Sequence, residues 1–370
     1  LWRLELPEPG NSSPIVWKDH VFITQAIANR RALLCIDRRN GQLLWTAGPT
    51  YNDPEPTMKE SNPYCAASPV TDGKRVIAHF GSAGLFCYDF QGRELWRADL
   101  GKISHPFGPA SSPTLDDNRI YAFVGPGDPE NESMVAVDKR TGKTIWRAPA
   151  LQPNGDEMKK VSSNGPPIGT WSTPIVIKHN NRKQVVMPFD FRFGAYDAAT
   201  GQLLWQRNEL GLQTYVTPLW TDGLLIAMSG STSVAVRPPT HKSTEPQTAW
   251  TQTRGKFRFG TGVASKDHLY NLAENGLAEC WEKATGKILW QERLQGPGKK
   301  TTTWSSLSMA GDKIYAPNQS GDVFVLAATP TFEVLSTNTI AEPTNASLAL
   351  AHGNVIMRTD RALWCFGEKS

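Results

Sequence analysis

Apolar residues fall along this chain in short runs of period two, broken every few residues by Gly, Pro, Asn and Asp. In MVAVD the alternation of Val135 and Val137 marks a half-buried strand, and the bounding turn-forming residues mark reversals. Two landmarks recur in fixed order. The first is a Ser/Thr-Pro-like strand start: NSSPIVW, CAASPVTD, SSPTLDD, WSTPIVI and YVTPLWT, then the looser FGTGVAS, WSSLSMA and NASLALA. Its second position falls at Ser13, Ser68, Ser112, Thr173, Thr217, Thr261, Ser306 and Ser347. The second landmark follows each start: LLCIDRRNGQLLW, LFCYDFQGRELW, MVAVDKRTGKTIW, FGAYDAATGQLLW and AECWEKATGKILW. Two copies are degenerate, SVAVRPPT running on to Trp250 and VFVLAATPTFEVL, and ALWCFGEKS stops before its last strand.

Each unit reads as four strands. In residues 111–149, SPTL, RIYAFVG, MVAVD and TIWRA are strands joined by turns and one loop of Gly, Pro, Asp and Asn. Asp138 can accept backbone N–H bonds across the last turn, Gly142 can take φ > 0 there, and Trp146 can fill the gap between adjacent sheets. The same roles fall to Asp37, Gly41 and Trp45, to Asp89, Gly92 and Trp96, to Asp197, Gly201 and Trp205, and to Glu282, Gly286 and Trp290. There are eight strand starts but only seven complete fourth strands. The opening LWRLELP matches ELWRADL and ILWQERL, so the first residues are expected to complete the last unit. A fixed period of this kind predicts radial repetition, which leaves only short, protected edges. The expected fold is all-β: one domain over residues 1–370, an eight-bladed β-propeller of four-stranded antiparallel blades, its ring closed by the N-terminal strand.

Composition narrows the function classes. Charged residues are 20% and apolar residues 39%, as in ordinary globular proteins, while 13 Trp, 31 Gly and 27 Pro among 370 residues suit many reversals and large wedges. The net charge of +4 is spread without a basic block, so no nucleic-acid partner is expected. No stretch approaches the roughly 20 apolar residues of a membrane helix. The chain starts inside a strand and without Met, so we expect an upstream signal peptide or lipid anchor. Cys35, Cys87, Cys280 and Cys365 stand where other copies have Ala136, Ala195 and Ala235, as small buried residues in four different blades, and Cys65 has no obvious partner. No CxxC, HExxH, GxSxG, P-loop or Asp-x-Asp-x-Asp ladder occurs, so no metal is expected.

The motif A-x-D-x-x-T-G-x-x-x-W resembles the pyrroloquinoline-quinone (PQQ) repeat, in register at least five times and over essentially the whole chain. That repeat is shared by quinoprotein alcohol dehydrogenases and by the BamB lipoprotein of outer-membrane barrel assembly. The opening WRLELPEPGNSSPIVWKDHVFITQA is similar to secreted BamB-like proteins. The resemblance implies two functions. The dehydrogenases hold PQQ over a central Ca²⁺, with an Asp base assisted by Glu, Asn and a further Asp, and carry a vicinal disulfide. This chain has no Cys-Cys pair, lacks their long insertions, and offers no Asp, Glu or Asn that matches a catalytic position. We therefore expect no catalytic residue and no cofactor, and keep a PQQ-dependent dehydrogenase as the alternative. A sensor or carbohydrate-binding module fused to other parts is a third reading. The first expectation is a non-catalytic, BamB-like scaffold of the bacterial envelope. It would be monomeric, periplasmic or secreted, and associated with the outer membrane.

The connections into each first strand gather on one face around the central funnel. They carry Phe107, Trp171, Tyr215, Phe257, Phe259 and Trp304, with Arg258, Lys299 and Lys300 beside them. Aromatic and Arg side chains are enriched at interface hot spots. The expected partner-binding rim for a protein or extended peptide is Trp171, Trp304, Tyr215, Phe107, Arg258 and Phe259, exposed at the funnel mouth. The competing view is that these rings plug the channel. The polar, Pro-rich loops 49–64 and 150–170 are further candidates for partner contact.

Overall fold

The computed structural model describes residues 1–159, 161, 169–230, 232–240, 245–253 and 257–368. The strands form eight sheets of four, each antiparallel and each, with one exception, in sequence order. Blades 1 to 7 span residues 15–47, 70–98, 114–149, 175–207, 219–252, 263–293 and 308–339. Blade 8 is the exception. Its strands Ala349–Ala351, Asn354–Arg358 and Ala362–Phe366 are completed by Trp2–Glu5, with Trp2 opposite Cys365 and Leu4 opposite Leu363. The ring is thus closed by the N-terminal strand, as the count of strand starts predicts. Among the described residues, helix is limited to Gly155–Met158 and a 3₁₀ turn at Gly81–Ala83, and no helix is long and apolar enough to cross a membrane.

The repeat's Trp explains how neighbouring blades hold together. Trp2, Trp45, Trp96, Trp146 and Trp250 each lie over the turn glycine of the next blade, Gly41, Gly92, Gly142, Gly201 and Gly286. A Cβ added to any of these glycines would come within 2.6–2.8 Å of the indole, and their φ values of +71° to +80° also favour glycine. Each indole N–H then donates to a carbonyl of that turn, on Arg38, Phe90, Lys139, Ala198 and Lys283, at 2.6–3.1 Å. Where the next turn is degenerate the device changes. Trp205 faces a blade whose sequence reads Arg237-Pro238-Pro239, and it donates instead to Gln184 in its own blade, at 2.9 Å.

The cysteines follow the same geometry. Cys35, Cys87, Cys280 and Cys365 sit directly across the ladder from Trp45, Trp96, Trp290 and Trp2, where blades 3 to 5 place Ala136, Ala195 and Ala235 under their indoles. A small side chain is needed there, and Cys meets that need. All five thiols are free and buried. Burial pushes Cys35, Cys65 and Cys87 up to about 12.

Candidate functional site

The first strands of the blades meet around the axis, and the second position of the strand-start landmark stitches them together. Ser13 donates its backbone N–H to the Ser68 hydroxyl, Ser68 to Ser112, and Ser112 to Thr173. Thr217 donates to Thr261, Thr261 to Ser306, Ser306 to Ser347, and Ser347 back to Ser13, all at 2.9–3.2 Å. The recurring Ser/Thr hydroxyl is thus an acceptor for the neighbouring blade at seven positions, Thr217 being the exception, and the eight hydroxyls encircle the axis.

Above this ring opens a cavity of about 480 Å³. Its wall is built by the residues two places upstream of each ring hydroxyl: Asn11, Ala66, Ala110, Trp171, Tyr215, Phe259, Trp304 and Asn345. The wall has two unlike halves. In blades 4 to 7 the aromatic side chains form one continuous ladder. Trp171 stacks on Tyr215 at 5.0 Å between centroids, Tyr215 meets Phe259 at 4.3 Å, and Phe259 stacks on Trp304 at 4.6 Å. Phe107 extends it, tilted against Trp171 at 6.1 Å, and His105 meets the same indole edge-on at 5.1 Å. Such pairs are favourable beyond their burial.

In blades 8, 1, 2 and 3 the wall residues are Asn or Ala, and the space is filled from the 49–64 loop by Met58, Ser61 and Asn62. This loop acts as a strap. Asn62 donates to the Phe107 carbonyl at 2.7 Å, and Asn11 donates to that of Ser61 at 2.7 Å. The Tyr64 hydroxyl donates to the Glu55 carbonyl at 3.0 Å. Beneath the strap the Arg31 guanidinium lies over the Tyr64 ring at 4.0 Å. Glu55 and His79 are buried beside it, each with one unpaired polar atom. Burial raises Glu55 above the usual carboxylate range and lowers His79 to about 4.

Of the six expected rim residues, Phe107, Trp171, Tyr215, Phe259 and Trp304 line this one cavity. Arg258 does not. It is buried, bonded to Glu279 at 2.6 Å, and lies over the Trp281 ring at 5.2 Å, because a buried carboxylate one blade edge away neutralises it. The expectation of exposed rings also needs correction. Trp171 is only 8% exposed, enclosed by Phe107, His105 and Tyr215, and its indole N–H donates to the Gly108 carbonyl at 2.8 Å. Tyr215, Phe259 and Trp304 are half-buried. In the 150–170 loop, residues 160 and 162–168 lie outside the described residues. The hydroxyl ring, Asn11 and Asn345 are site residues that the sequence did not single out, although they stand in register with the Ser/Thr landmark; Asn62 of the strap does not.

Among the described residues the lining contains no Asp, Glu, His, Lys or Arg. A Ca²⁺ needs oxygen ligands that include carboxylates, and PQQ is an anionic quinone that would be left without a counter-charge. The donor set therefore does not fit a Ca²⁺–PQQ pair, and with all five thiols free no vicinal disulfide exists. Among the described residues no three His, Cys, Asp or Glu gather to hold a metal.

The family model for the outer membrane protein assembly factor BamB matches residues 29–235 and 241–347. No curated protein matches the chain. Among solved structures, BamB from Moraxella catarrhalis superposes with a TM-score of 0.69 at 14% identity, covering 100% of this chain and 97% of that one. A europium-containing methanol dehydrogenase superposes at 0.69 with 12% identity, over 98% of this chain and 85% of its own. The quinohemoprotein alcohol dehydrogenase from Comamonas testosteroni gives 0.68 and 12%, over 100% and 76%. At such identities these likenesses show the propeller fold alone, and it serves both scaffold and enzyme.

Proposed function

This chain belongs to the family of the outer membrane protein assembly factor BamB, and from that premise we propose that it is a non-catalytic scaffold of the bacterial envelope that takes a protein or extended-peptide partner at its funnel face. The observation that carries this reading is the uncharged cavity, walled on one side by an aromatic ladder and on the other by amides and a strap. Concave, largely apolar surfaces with a few placed polar groups bind ligands, and aromatic side chains dominate binding energy at interfaces. The alternative dehydrogenase would need charged groups that the described residues of this lining do not supply. The protein would work as a monomer in the periplasm or as a secreted protein, close to the outer membrane.

A photo-crosslinking amino acid placed at Trp304, at Asn62 and, as a control, at the outward Leu95 tests the assignment. Crosslinks to an envelope partner are expected from the first two positions and not from the third. Equal crosslinking from Leu95 would move the working surface to the propeller's side. Separately, incubation with PQQ and Ca²⁺ should yield no bound chromophore. Stoichiometric quinone binding with alcohol oxidation would replace the scaffold reading with the enzyme.

A further inference from the structure

An uncharged cavity selects its ligand by which hydrogen-bonding groups it leaves unspent. Around the hydroxyl ring every oxygen but that of Thr217 accepts an N–H bond from the preceding blade, yet none of the ring hydroxyls donates its own proton to a described residue. The Tyr215 hydroxyl and the Trp304 indole N–H, both on the wall, also donate to no described residue. The amides are otherwise engaged: Asn11 and Asn62 donate to backbone carbonyls, and the Asn345 oxygen accepts from Gln319 at 2.6 Å. The funnel thus keeps unspent O–H and N–H donors, beside the spare lone pairs of the same hydroxyls and the Asn62 side-chain oxygen.

The ladder sets a second constraint. Tyr215 is packed between Trp171 and Phe259, and Phe259 between Tyr215 and Trp304. Ring faces engaged with each other are not open to a sugar ring or a cation, which both need the negative face. What inner rings still offer is their edges, where the aromatic quadrupole is positive. Among the described residues no carboxylate lines the wall to receive an ammonium; Asp190, whose charge acts on Tyr215, is not a lining residue.

We infer that the funnel recognises the free C-terminal carboxylate of its partner chain. This rests on the reading above that a peptide enters here. A carboxylate is acceptor-only, and its bonds from neutral O–H and N–H donors are charge-assisted. Main-chain ends are captured in this way by preformed donor sets. The cavity of about 480 Å³ lies toward the small end of ligand pockets, so it suits one chain end better than a hairpin with two strands to admit.

The test uses the full chain, immobilised, and two pools of N-acetylated random pentapeptides, one as free acids and one as C-terminal amides. Retained peptides are read by mass spectrometry. The free acids are expected to be retained at least about tenfold better, the loss that removing a bond to a charged group predicts. Tyr215→Phe and Trp304→Phe keep a ring in the ladder and remove one donor each. Both should melt like the parent and lose about tenfold for the acids only. Equal retention of acids and amides overturns the carboxylate and leaves the scaffold reading standing. Retention of neither pool overturns both. Unaltered acid binding in both variants removes these two donors from the site and overturns the inference as argued. Stripping of the acids by excess acetate would assign the donors to a small free acid and overturn the chain terminus as the source.

Discussion

The two halves of the funnel occupy equivalent places in the repeat and are built on opposite plans. Trp171, Tyr215, Phe259 and Trp304 stand in the same register as Asn345, Asn11, Ala66 and Ala110. The first set closes its wall by touching its neighbours, each about one blade away in sequence. The second set is too small to touch, and the strap 49–64 must reach in to finish the wall. The ring symmetry fixes where each Cα lies, while side-chain volume decides whether a sector supports itself. The strap half also holds the closure of the ring. There the buried Arg358 of blade 8 donates to the Ser12 and Thr24 carbonyls of the chain's beginning, at 3.3 and 2.8 Å. Damage at the closure should therefore reach the strap half first.

Deleting residues 1–10 should produce the largest effect. It removes the outer strand of blade 8, uncovers the edge of Ala362–Phe366 and strips Trp2 from Gly41. Buried side chains such as Leu6 contribute roughly 1.5–3 kcal/mol each, so the summed loss is a large fraction of a domain's stability. A much lower melting temperature, with aggregation through the opened edge, is expected. Amide exchange should rise further at Asn11 and Asn345 than at Phe259 and Trp304. An equal rise in both halves would make them one cooperative unit and break the comparison.

Trp171→Ala comes next, at about 3–5 kcal/mol, the usual cost of emptying a buried aromatic site. Trp304→Ala, at the half-exposed end of the ladder, should cost markedly less. Denaturant midpoints of the two variants decide the matter. Equal losses would mean that the ladder is not supported from its Trp171 end.

How much of this was legible in the sequence depends on distance along the chain. The Asp–Gly–Trp spacing is local, and it located the turns, the wedges and the closure by Trp2–Glu5. It also explained the cysteines once their register was known. The halves of the funnel were not legible, because the contacts that define them join residues a blade apart. Trp171 looked like an exposed anchor because Tyr215 and Phe107, which cover it, lie in other connections. Arg258 looked free because its partner Glu279 belongs to a strand whose apolar neighbours gave no hint of a buried acid. Ala66 and Ala110 looked unremarkable, since only the fold shows that Asn62 of the strap fills the space above them.

The halves should also respond to pH in opposite directions. Under the aromatic half, Asp190 accepts the Gln213 N–H at 2.5 Å, and burial, with Glu132 nearby, pushes it from 3.8 to about 7. A carboxyl raised on folding binds more protons folded than unfolded. It supports the fold below about 4, and that support is lost as pH rises through about 7. Under the strap, His79 is lowered from 6.5 to about 4, so its support holds above 6.5 and is lost as pH falls toward 4. Glu55, raised by burial in the same sector, works against His79 there. Single variants separate the three groups. Asp190→Asn should remove a loss of stability that runs from pH about 4 to about 7, by a few kcal/mol at most. His79→Gln should remove an opposing gain between about 4 and 6.5. If Asp190→Asn instead changes the profile only below about 4, the carboxyl is ionised in the folded protein and the assignment fails.

The smallest effects should come from the hydroxyl ring, and they should be the same on both sides. Ser112 lies in the strap half and accepts the Ser68 N–H at 2.9 Å, while Ser306 lies in the aromatic half and accepts that of Thr261 at 3.0 Å. Both hydroxyls are half-buried and of one chemical type, and each links one blade to the next. Ser→Ala at either site removes an acceptor and adds no bulk, so each should cost about 1 kcal/mol, the net worth of one such bond. Nothing above the ring enters that figure. The ring is the part of the funnel that the repeat builds alike at seven of eight links, all but that from Thr173 to Thr217, and the wall is the part in which the two halves diverge. Chemical denaturation of Ser112→Ala and Ser306→Ala should therefore give losses that agree within about 0.5 kcal/mol. A clearly larger loss at Ser112 would show that the strap and the closure reach down into the ring, so that the asymmetry begins one layer deeper than the wall.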